Sequence, residues 1–248
     1  MAYKGLDVVE RAGGVSKDRN GASAPVDDQI YEAIQHAVLT QQLPPGTRLP
    51  EVTLSEVFNV SRSLVRKALT RLAADQIIVM RRNQTARVIK PSQEETREIF
   101  DARRFIEAEV MRQAAGRLQG KAAKDLLQIV DEEQSSQELN DQDRRIHLSI
   151  RFHEHIADFC PNRILVRVLH ELILRTSVAI ALYKVHGMSA CYRGGDHRGI
   201  ADALLRGKGD EAARLAVDHL DYLERQLALG EVERKVNLAR ILKRKRRG

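Results

Sequence analysis

The sequence predicts a mainly α-helical chain. An N-terminal winged helix-turn-helix of three helices and a two-stranded wing is followed by an all-α, six-helix antiparallel bundle. Three observations carry that prediction. The composition is rich in Ala, Leu, Arg and Glu, with 43% hydrophobic residues, only 4% aromatics and no Trp, a balance that favours helices over sheets. Between Pro44 and Leu72 a forced turn, a helix cap and an amphipathic helix follow one another. After Ser92 helical periodicity continues almost without interruption, broken at Gly120, Asn140, Pro161-Asn162, Gly187 and Gly207 to Gly209.

Taken in order, residues 1–25 lack periodicity and read as a flexible arm. A first helix runs from about Asp27 to Thr40 on an apolar stripe of Ile30, Ile34, Ala37 and Val38, the spacing of one helical face. Pro44-Pro45-Gly46 forces a turn that Leu49 anchors, and a short helix covers about Thr53 to Phe58. Asn59-Val60 suits a tight turn and Ser61 an N-cap. The third helix then starts at Arg62, with Val65, Ala68, Leu69 and Leu72 inward. Ile77-Ile78-Val79 and Arg87-Val88-Ile89 are β-type runs joined by Arg81-Arg82-Asn83-Gln84, a hairpin wing. Pro91 stops the second run, and Ser92 with Glu94 and Glu95 opens a new helix. The expected domains are therefore 26–91 and 92–230, with a basic tail at 231–248. Bundle helices are expected at about 93–118, 121–138, 140–159, 162–186, 189–206 and 208–229, enough to enclose a ligand.

Charge is unevenly placed. Residues 1–91 hold 13 Lys+Arg against 9 Asp+Glu, residues 92–234 hold 21 against 25, and residues 235–248 hold 7 against none. Basic ends around a mildly acidic body suit a protein that meets a polyanion at its ends. No apolar run reaches the ~18 residues of a membrane span, and Met1 to Ala24 is unlike a signal peptide, so a cytoplasmic location is expected. Cys160 and Cys191 lack metal-type spacing and read as reduced thiols.

The polar face of the third helix carries Arg62, Ser63, Arg66, Lys67 and Thr70. Arg62 and Arg66, at i and i+4, share one face near the helix N-terminus, where a major groove offers guanine acceptors and phosphates. One bidentate Arg–guanine contact supplies about 1–3 kcal/mol of discrimination. Duplex DNA is the expected partner.

Pro-Gly-Thr-Arg-Leu-Pro-Glu (45–51), Leu54-Ser55-Glu56 and Val-Ser-Arg-Ser-Leu-Val-Arg-Lys-Ala-Leu (60–69) together resemble the DNA-binding domain of the GntR family of bacterial transcription regulators. The helical remainder resembles the effector domain of the FadR-type branch, the FCD domain, at Arg103 to Glu107, Phe152-His153, Pro161-Asn162, His197 and Asp218-His219-Leu220. The resemblance implies DNA reading by Ser61, Arg62, Ser63 and Arg66 plus the wing, with Lys67, Arg81 and Arg82 as further contacts. One departure stands out: Thr85 occupies the position where the wing usually turns on Gly. Thr is disfavoured at positive φ, so a different wing tip is expected.

Three histidines, His153, His197 and His219, fall within the apolar stripes of three different helices. The resemblance implies that they bind a divalent metal together with an Asp one turn before the first. Here that position is Ser149, a poor ligand for such a cation, which removes charge compensation. Two readings stand side by side. In one, three imidazoles and an open position hold Zn²⁺ or Ni²⁺. In the other, Arg103, Ser149, His153, Arg175, His197 and His219 bind an organic effector directly, a carboxylate or acidic nitrogen heterocycle clamped by the arginines. Arg103 and Glu107 are also spaced for an internal ion pair. His36, His147, His155, His170 and His186 show no such grouping, and His147 and His155 are expected at the surface.

The leading expectation is a ligand-responsive regulator, most often a repressor in that family, acting as a homodimer on a pseudo-palindromic operator. A three-His metalloenzyme would need a general base beside the metal, and Glu154 points elsewhere on its helix. A purely architectural DNA binder would leave the buried polar cluster unexplained, since unpaired polar groups in a core cost roughly 1–3 kcal/mol each.

Overall fold

The computed structural model describes residues 25–40, 42–184 and 195–227. The expected N-terminal arm and basic tail therefore lie outside the described residues, apart from Pro25, as do His186, Cys191 and the start of the helix expected from 189.

The first unit is built from α1 (Val26–Leu39), α2 (Glu51–Phe58) and α3 (Arg62–Ala74), with β1 (Arg48–Leu49), β2 (Ile78–Val79) and β3 (Ala86–Val88). Asn59 closes α2 in the left-handed region at φ 56°, a conformation Asn tolerates better than most residues. Ser61 then caps α3, its Oγ accepting from the Leu64 N–H at 3.4 Å. Leu54, Val65, Leu69 and Leu72 are fully buried beneath it with Ile30 and Ile34 of α1.

The wing is larger than the expected hairpin. Its sheet has three antiparallel strands in the order β1-β3-β2, because the chain leaving Pro44-Pro45-Gly46 comes back alongside β3. Gly46, at φ 83°, donates its N–H to Val88 O, and Val88 donates to Thr47 O. The turn joining β2 to β3 also differs from expectation. Its positive φ sits on Asn83, at 60°, and Thr85 is not among the left-handed residues. Thr85 thus carries no backbone strain, and Asn supplies what a glycine was expected to supply.

Among the described residues six helices follow: α4 (Gln93–Ala114), α5 (Lys121–Glu138), α6 (Gln142–Ala157), α7 (Arg163–Tyr183), α8 (Asp196–Leu205) and α9 (Gly209–Arg225). Side-chain caps start three of them. Ser92 accepts from Glu95, Asp141 from Arg144, and Asn162 from Ile164 and Leu165. The long α4 is the spine. Helix α9 runs antiparallel to it, pinned by Arg104–Asp221 at 2.6 Å and Arg112–Asp210 at 2.8 Å. At their crossing a Cβ on Gly209 would lie 3.0 Å from Arg112 Cα, so the close approach there needs glycine. On the other flank α7 is antiparallel to α4, from Arg175–Glu95 at 2.9 Å to Cys160–Gln113 at 3.5 Å.

The two units share a core. One continuous apolar cluster runs from Ile34, Val38 and Leu39 of α1 to Ile146 and Ile150 of α6 and to Ile173 of α7. Between the units Gln42 donates to Asp143 at 2.9 Å, and the rings of His36 and His147 meet edge-on at 6.4 Å. His147 is accordingly half-buried in this junction, not at the surface as expected. No helix among the described residues is long and apolar enough to cross a membrane.

Candidate functional site

At the outer face of α3, Arg62, Arg66 and Lys67 are each 64% exposed. None of them floats. Arg66 donates Nε–H to Glu51 Oε1 and an Nη2 proton to Glu51 Oε2, both at 2.8 Å. Glu51 opens α2, so the first helix of the motif fixes the guanidinium of the second, and the Arg66 hydrogen bond holds its carboxyl below the usual range. Arg62 lies 3.9 Å from the same carboxylate. Lys67 is tied at 2.9 Å to Asp27 of α1. Ser61 and Ser63 share a hydroxyl contact of 2.8 Å, and Arg81 and Arg82 stand exposed at the wing tip.

Inside the bundle, His153 on α6, His197 on α8 and His219 on α9 converge, all buried. Their ring centroids are 4.7 to 5.7 Å apart, and one ligand nitrogen from each lies within 4.8 Å of the others. Phe152 stacks on His197 at 4.2 Å and forms one wall.

Each histidine also has a carboxylate on its Nδ1 side, and each carboxylate comes from elsewhere in the bundle. Glu133 of α5 meets His197 at 2.6 Å, Asp196 of α8 meets His219 at 3.2 Å, and Glu107 of α4 lies against Nδ1 of His153. Glu107 takes in addition the Arg103 Nε–H at 2.7 Å. Burial works against ionising Glu107, but Arg103 and His153 beside it outweigh burial and hold its carboxyl well below the usual range. Burial pushes His153 down to about 3 and also lowers His219. These two imidazoles are therefore neutral near pH 7, the protonation state in which a ring nitrogen can bind a metal.

The donor set suits a metal ion. Nε2 of His197 and of His219 is buried without a hydrogen-bond partner among the described residues, and such orphaned acceptors invite a cation. Tetrahedral zinc–nitrogen bonds of ~2.0–2.1 Å place ligand nitrogens about 3.3 Å apart, so from separations of up to 4.8 Å the rings need close by at most about 1.5 Å. A carboxylate behind each metal-facing imidazole fixes its tautomer and raises its basicity.

Beside the histidines lies a cavity of ≈ 30 Å³ lined by Arg103, Ser149, His153, Ile150, Ser177 and, from α1, Leu39. That is room for about one water, far less than the ligand-sized enclosure expected, because side chains of α6, α7 and α9 close over it. A larger hollow of ≈ 500 Å³ lies between α5 and the start of α6. It is an open groove away from the histidines, and its arginine and acidic side chains are already paired as Arg144–Glu132 and Arg198–Asp131. The chemistry is at the smaller one.

Arg175, expected in the pocket, is elsewhere. It reaches outward to Glu95 and Glu171 and does not line the cavity, because its position on α7 faces the start of α4. Arg103 does line it, with one edge occupied by Glu107. The expectations missed Glu133, Asp196 and Leu39. Glu133 had a visible signal, an acid within the stripe of Leu126, Ile129 and Val130, the same kind of signal that marked the histidines.

Comparison with known proteins agrees with the fold. Residues 27–88 match the bacterial regulatory proteins of the gntR family, and residues 98–222 match the FCD domain. The chain belongs to the GntR family, in its FCD-bearing branch. Relatives of this GntR-family chain include the HTH-type transcriptional repressor RspR of Escherichia coli (strain K12), 26% identical over 80% of this chain and 87% of that protein. The HTH-type transcriptional repressor NanR of Enterobacter sp. (strain 638) is 28% identical over 86% of this chain and 89% of its own length. Among solved structures, E. coli McbR/YncC superposes with a TM-score of 0.68 at 19% identity, covering 80% of this chain and 95% of that one; this likeness concerns the fold alone. GntR-family proteins are DNA-binding transcription regulators rather than enzymes, and many are repressors.

Proposed function

We propose that this GntR-family protein is a ligand-responsive repressor that binds a pseudo-palindromic operator as a homodimer. Its DNA affinity would be set by occupancy of the pocket beside His153, His197 and His219. The observation that carries the reading is the place of Leu39. This last residue of α1, in the DNA-binding unit, lines the same cavity as Arg103, Ser149 and His153. An effector larger than one water has to widen that cavity, and widening moves the wall that belongs to the DNA-binding unit. The ligand then prefers one arrangement of the two units, which is what allosteric coupling requires. A coupling of about 1–3 kcal/mol suffices to release an operator.

A divalent metal of the Zn²⁺ or Ni²⁺ type would be held by His153, His197 and His219. When bound it would offer an open coordination position to an effector carboxylate. Ser149 leaves the first coordination sphere neutral, but Glu107, Glu133 and Asp196 stand behind the three imidazoles. That carboxylate ring supports metal binding despite the missing Asp. On the DNA side, Ser61, Arg62, Ser63 and Arg66 would read the major groove, with Lys67, Arg81 and Arg82 on phosphates.

A gel-shift titration with genomic operator fragments, run with and without effector candidates after chelation and after Zn²⁺ addition, tests the reading. Sequence-specific binding that weakens with a ligand, and that Arg66→Ala abolishes without loss of fold, is the expected outcome. Specific binding retained by Arg66→Ala contradicts the assignment of the reading helix. A melting temperature unmoved by metals and ligands alike favours an architectural protein instead.

A further inference from the structure

The basic side chains of α3 and those of the wing differ in whether the fold already neutralises them. On α3, Arg62 and Arg66 share Glu51, Lys67 is held by Asp27, and Arg71 by Asp28. The wing has no such acids. Residues 76–93 contain Arg81, Arg82, Arg87 and Lys90 and not one Asp or Glu. Within them, Arg87 of the central strand β3 is the direct cross-strand partner of Arg48 of β1. Neither side chain forms an ion pair or hydrogen bond with any described residue.

The pleat puts the two arginines on one face. Leu49, Ala86 and Val88 are buried on the core side, so by alternation Arg48 and Arg87 lie on the outer face, with Val79 of β2 on the far side of Arg87. Arg48 is exposed and Arg87 half-buried. Directly opposed residues have Cβ atoms about 4.5–5.5 Å apart, where like charges destabilise the pairing. Sheet stability alone favours β-branched or aromatic residues in such places. An anion from outside the chain turns the same pair into an asset. One DNA strand carries a charge about every 3.4 Å of helix axis, so two adjacent guanidiniums, each a planar fork that fits phosphate, can engage neighbouring phosphates. The exposed Arg81 and Arg82 follow in the turn that β3 leaves, and residues 27–88, which match the gntR family, include all four arginines.

We propose that Arg48 and Arg87, on the outer face of the wing sheet, form a phosphate clamp for the backbone of duplex DNA. The clamp supplies sequence-independent affinity, while the acid-guided arginines of α3 supply discrimination. This rests on the reading of the first unit as the DNA-binding unit. The division of labour follows from the pairing. A cation without an internal partner gives up nothing when it meets a phosphate, whereas Arg66 and Lys67 already hold carboxylates. Those carboxylates orient the α3 side chains and at the same time offset their charge.

The test compares the full chain with Arg48→Thr, Arg87→Thr and the double variant. Lys121→Gln, which removes a charge from the start of α5, controls for net charge. Binding to an operator duplex and to a duplex of scrambled sequence is followed by fluorescence anisotropy between about 50 and 200 mM salt, and melting temperatures are taken without DNA. Each Thr variant should weaken binding to both duplexes by the same factor. The slope of log affinity against log salt should shrink by about 1 for each single variant and by about 2 for the double. Melting temperature should hold or rise, since Thr suits a strand and the like-charge contact has gone. Lys121→Gln should keep the wild-type slope, and Lys at both arginine positions should keep it too, because a phosphate contact needs the charge. An unchanged slope in the double variant, with the wild type binding DNA, overturns the clamp and leaves the DNA-binding reading standing. Loss confined to the operator duplex also overturns it, since the arginines would then be reading bases. A wild type that binds neither duplex overturns the DNA-binding reading and the clamp with it.

Discussion

Glu51 and Arg66 face each other across the helix-turn-helix as two parallel hydrogen bonds, Nε to Oε1 and Nη2 to Oε2, each of 2.8 Å. The pairing occupies one edge of the guanidinium and leaves the edge between Nη1 and Nη2 free. That free edge is a fork of the geometry that meets guanine O6 and N7. On the proposed reading of the major groove by Arg66, Glu51 would act on DNA through the orientation of that guanidinium.

Glu51→Gln should loosen that orientation while keeping the Arg66 charge. Operator affinity is expected to fall about tenfold, equivalent to about 1.4 kcal/mol, while affinity for non-specific DNA changes little or rises as a negative charge is removed near phosphates. Arg66→Ala should lose more, with specific and non-specific binding converging. Competition gel shifts with scrambled operator measure the ratio. An unchanged specificity ratio in Glu51→Gln would show that Arg66 needs no such guide.

Leu39 gives the second prediction. Leu39→Ala enlarges the cavity from the side of the DNA-binding unit. The usual cost of a buried Leu→Ala change is about 2–5 kcal/mol, here toward the lower end because the residue is at a helix terminus. The protein should still bind operator and ligand, yet the ligand should release operator less well, since the extra room lets it fit without moving α1. Parallel effector titrations of melting temperature and of operator binding read this out. Full ligand response in Leu39→Ala would place the coupling elsewhere.

For the metal, chelation is expected to lower the melting temperature of the purified protein and added Zn²⁺ or Ni²⁺ to restore it. His197→Ala should abolish the restoration. Glu133→Gln, one step removed from the ion, should weaken metal affinity about 10–100-fold. Isothermal titration of the chelated protein provides the numbers. Equal affinity in wild type and Glu133→Gln would deny the carboxylate its part.

The pH dependence of the chelated protein follows from the same residues. Burial lowers the proton affinity of His153, to about 3, and that of His219, so the unfolded chain takes up protons first as pH falls below about 6.5. Proton uptake by the unfolded state favours unfolding. Stability should thus be full above pH 7 and decline on acidification, at roughly 1.4 kcal/mol per pH unit for each such histidine, until the folded protein is protonated too. Below the ordinary carboxylate range the depressed Glu107 adds loss in the same direction. Denaturant midpoints at pH 7.5, 6 and 5 check this. A midpoint rising on acidification would mean that the histidines are charged in the fold.

Much of this protein is legible in its sequence because local signals and the final fold agree. Ser61, Ser92 and Asn162 cap the helices they precede, and three histidines within apolar stripes do meet in the core. Where expectation and structure part, the deciding contact is distant in sequence. The third strand of the wing exists because Arg48 pairs with Arg87, and His147 is half-buried because α1 supplies His36.

By itself the sequence determined the helical periods, the caps, the exposed basic face of α3 and the identity of the three buried imidazoles, since each is a matter of spacing along one element. Tertiary structure alone decided which partners these groups have. It set Glu107, Glu133 and Asp196 behind the histidines and turned Arg175 outward. It also carried Leu39 from α1 to the cavity beside the histidines. The physical reason is common to all of these. Burial and pairing of a charge depend on which helix packs opposite, and that choice is made by the whole core rather than by neighbours in the chain.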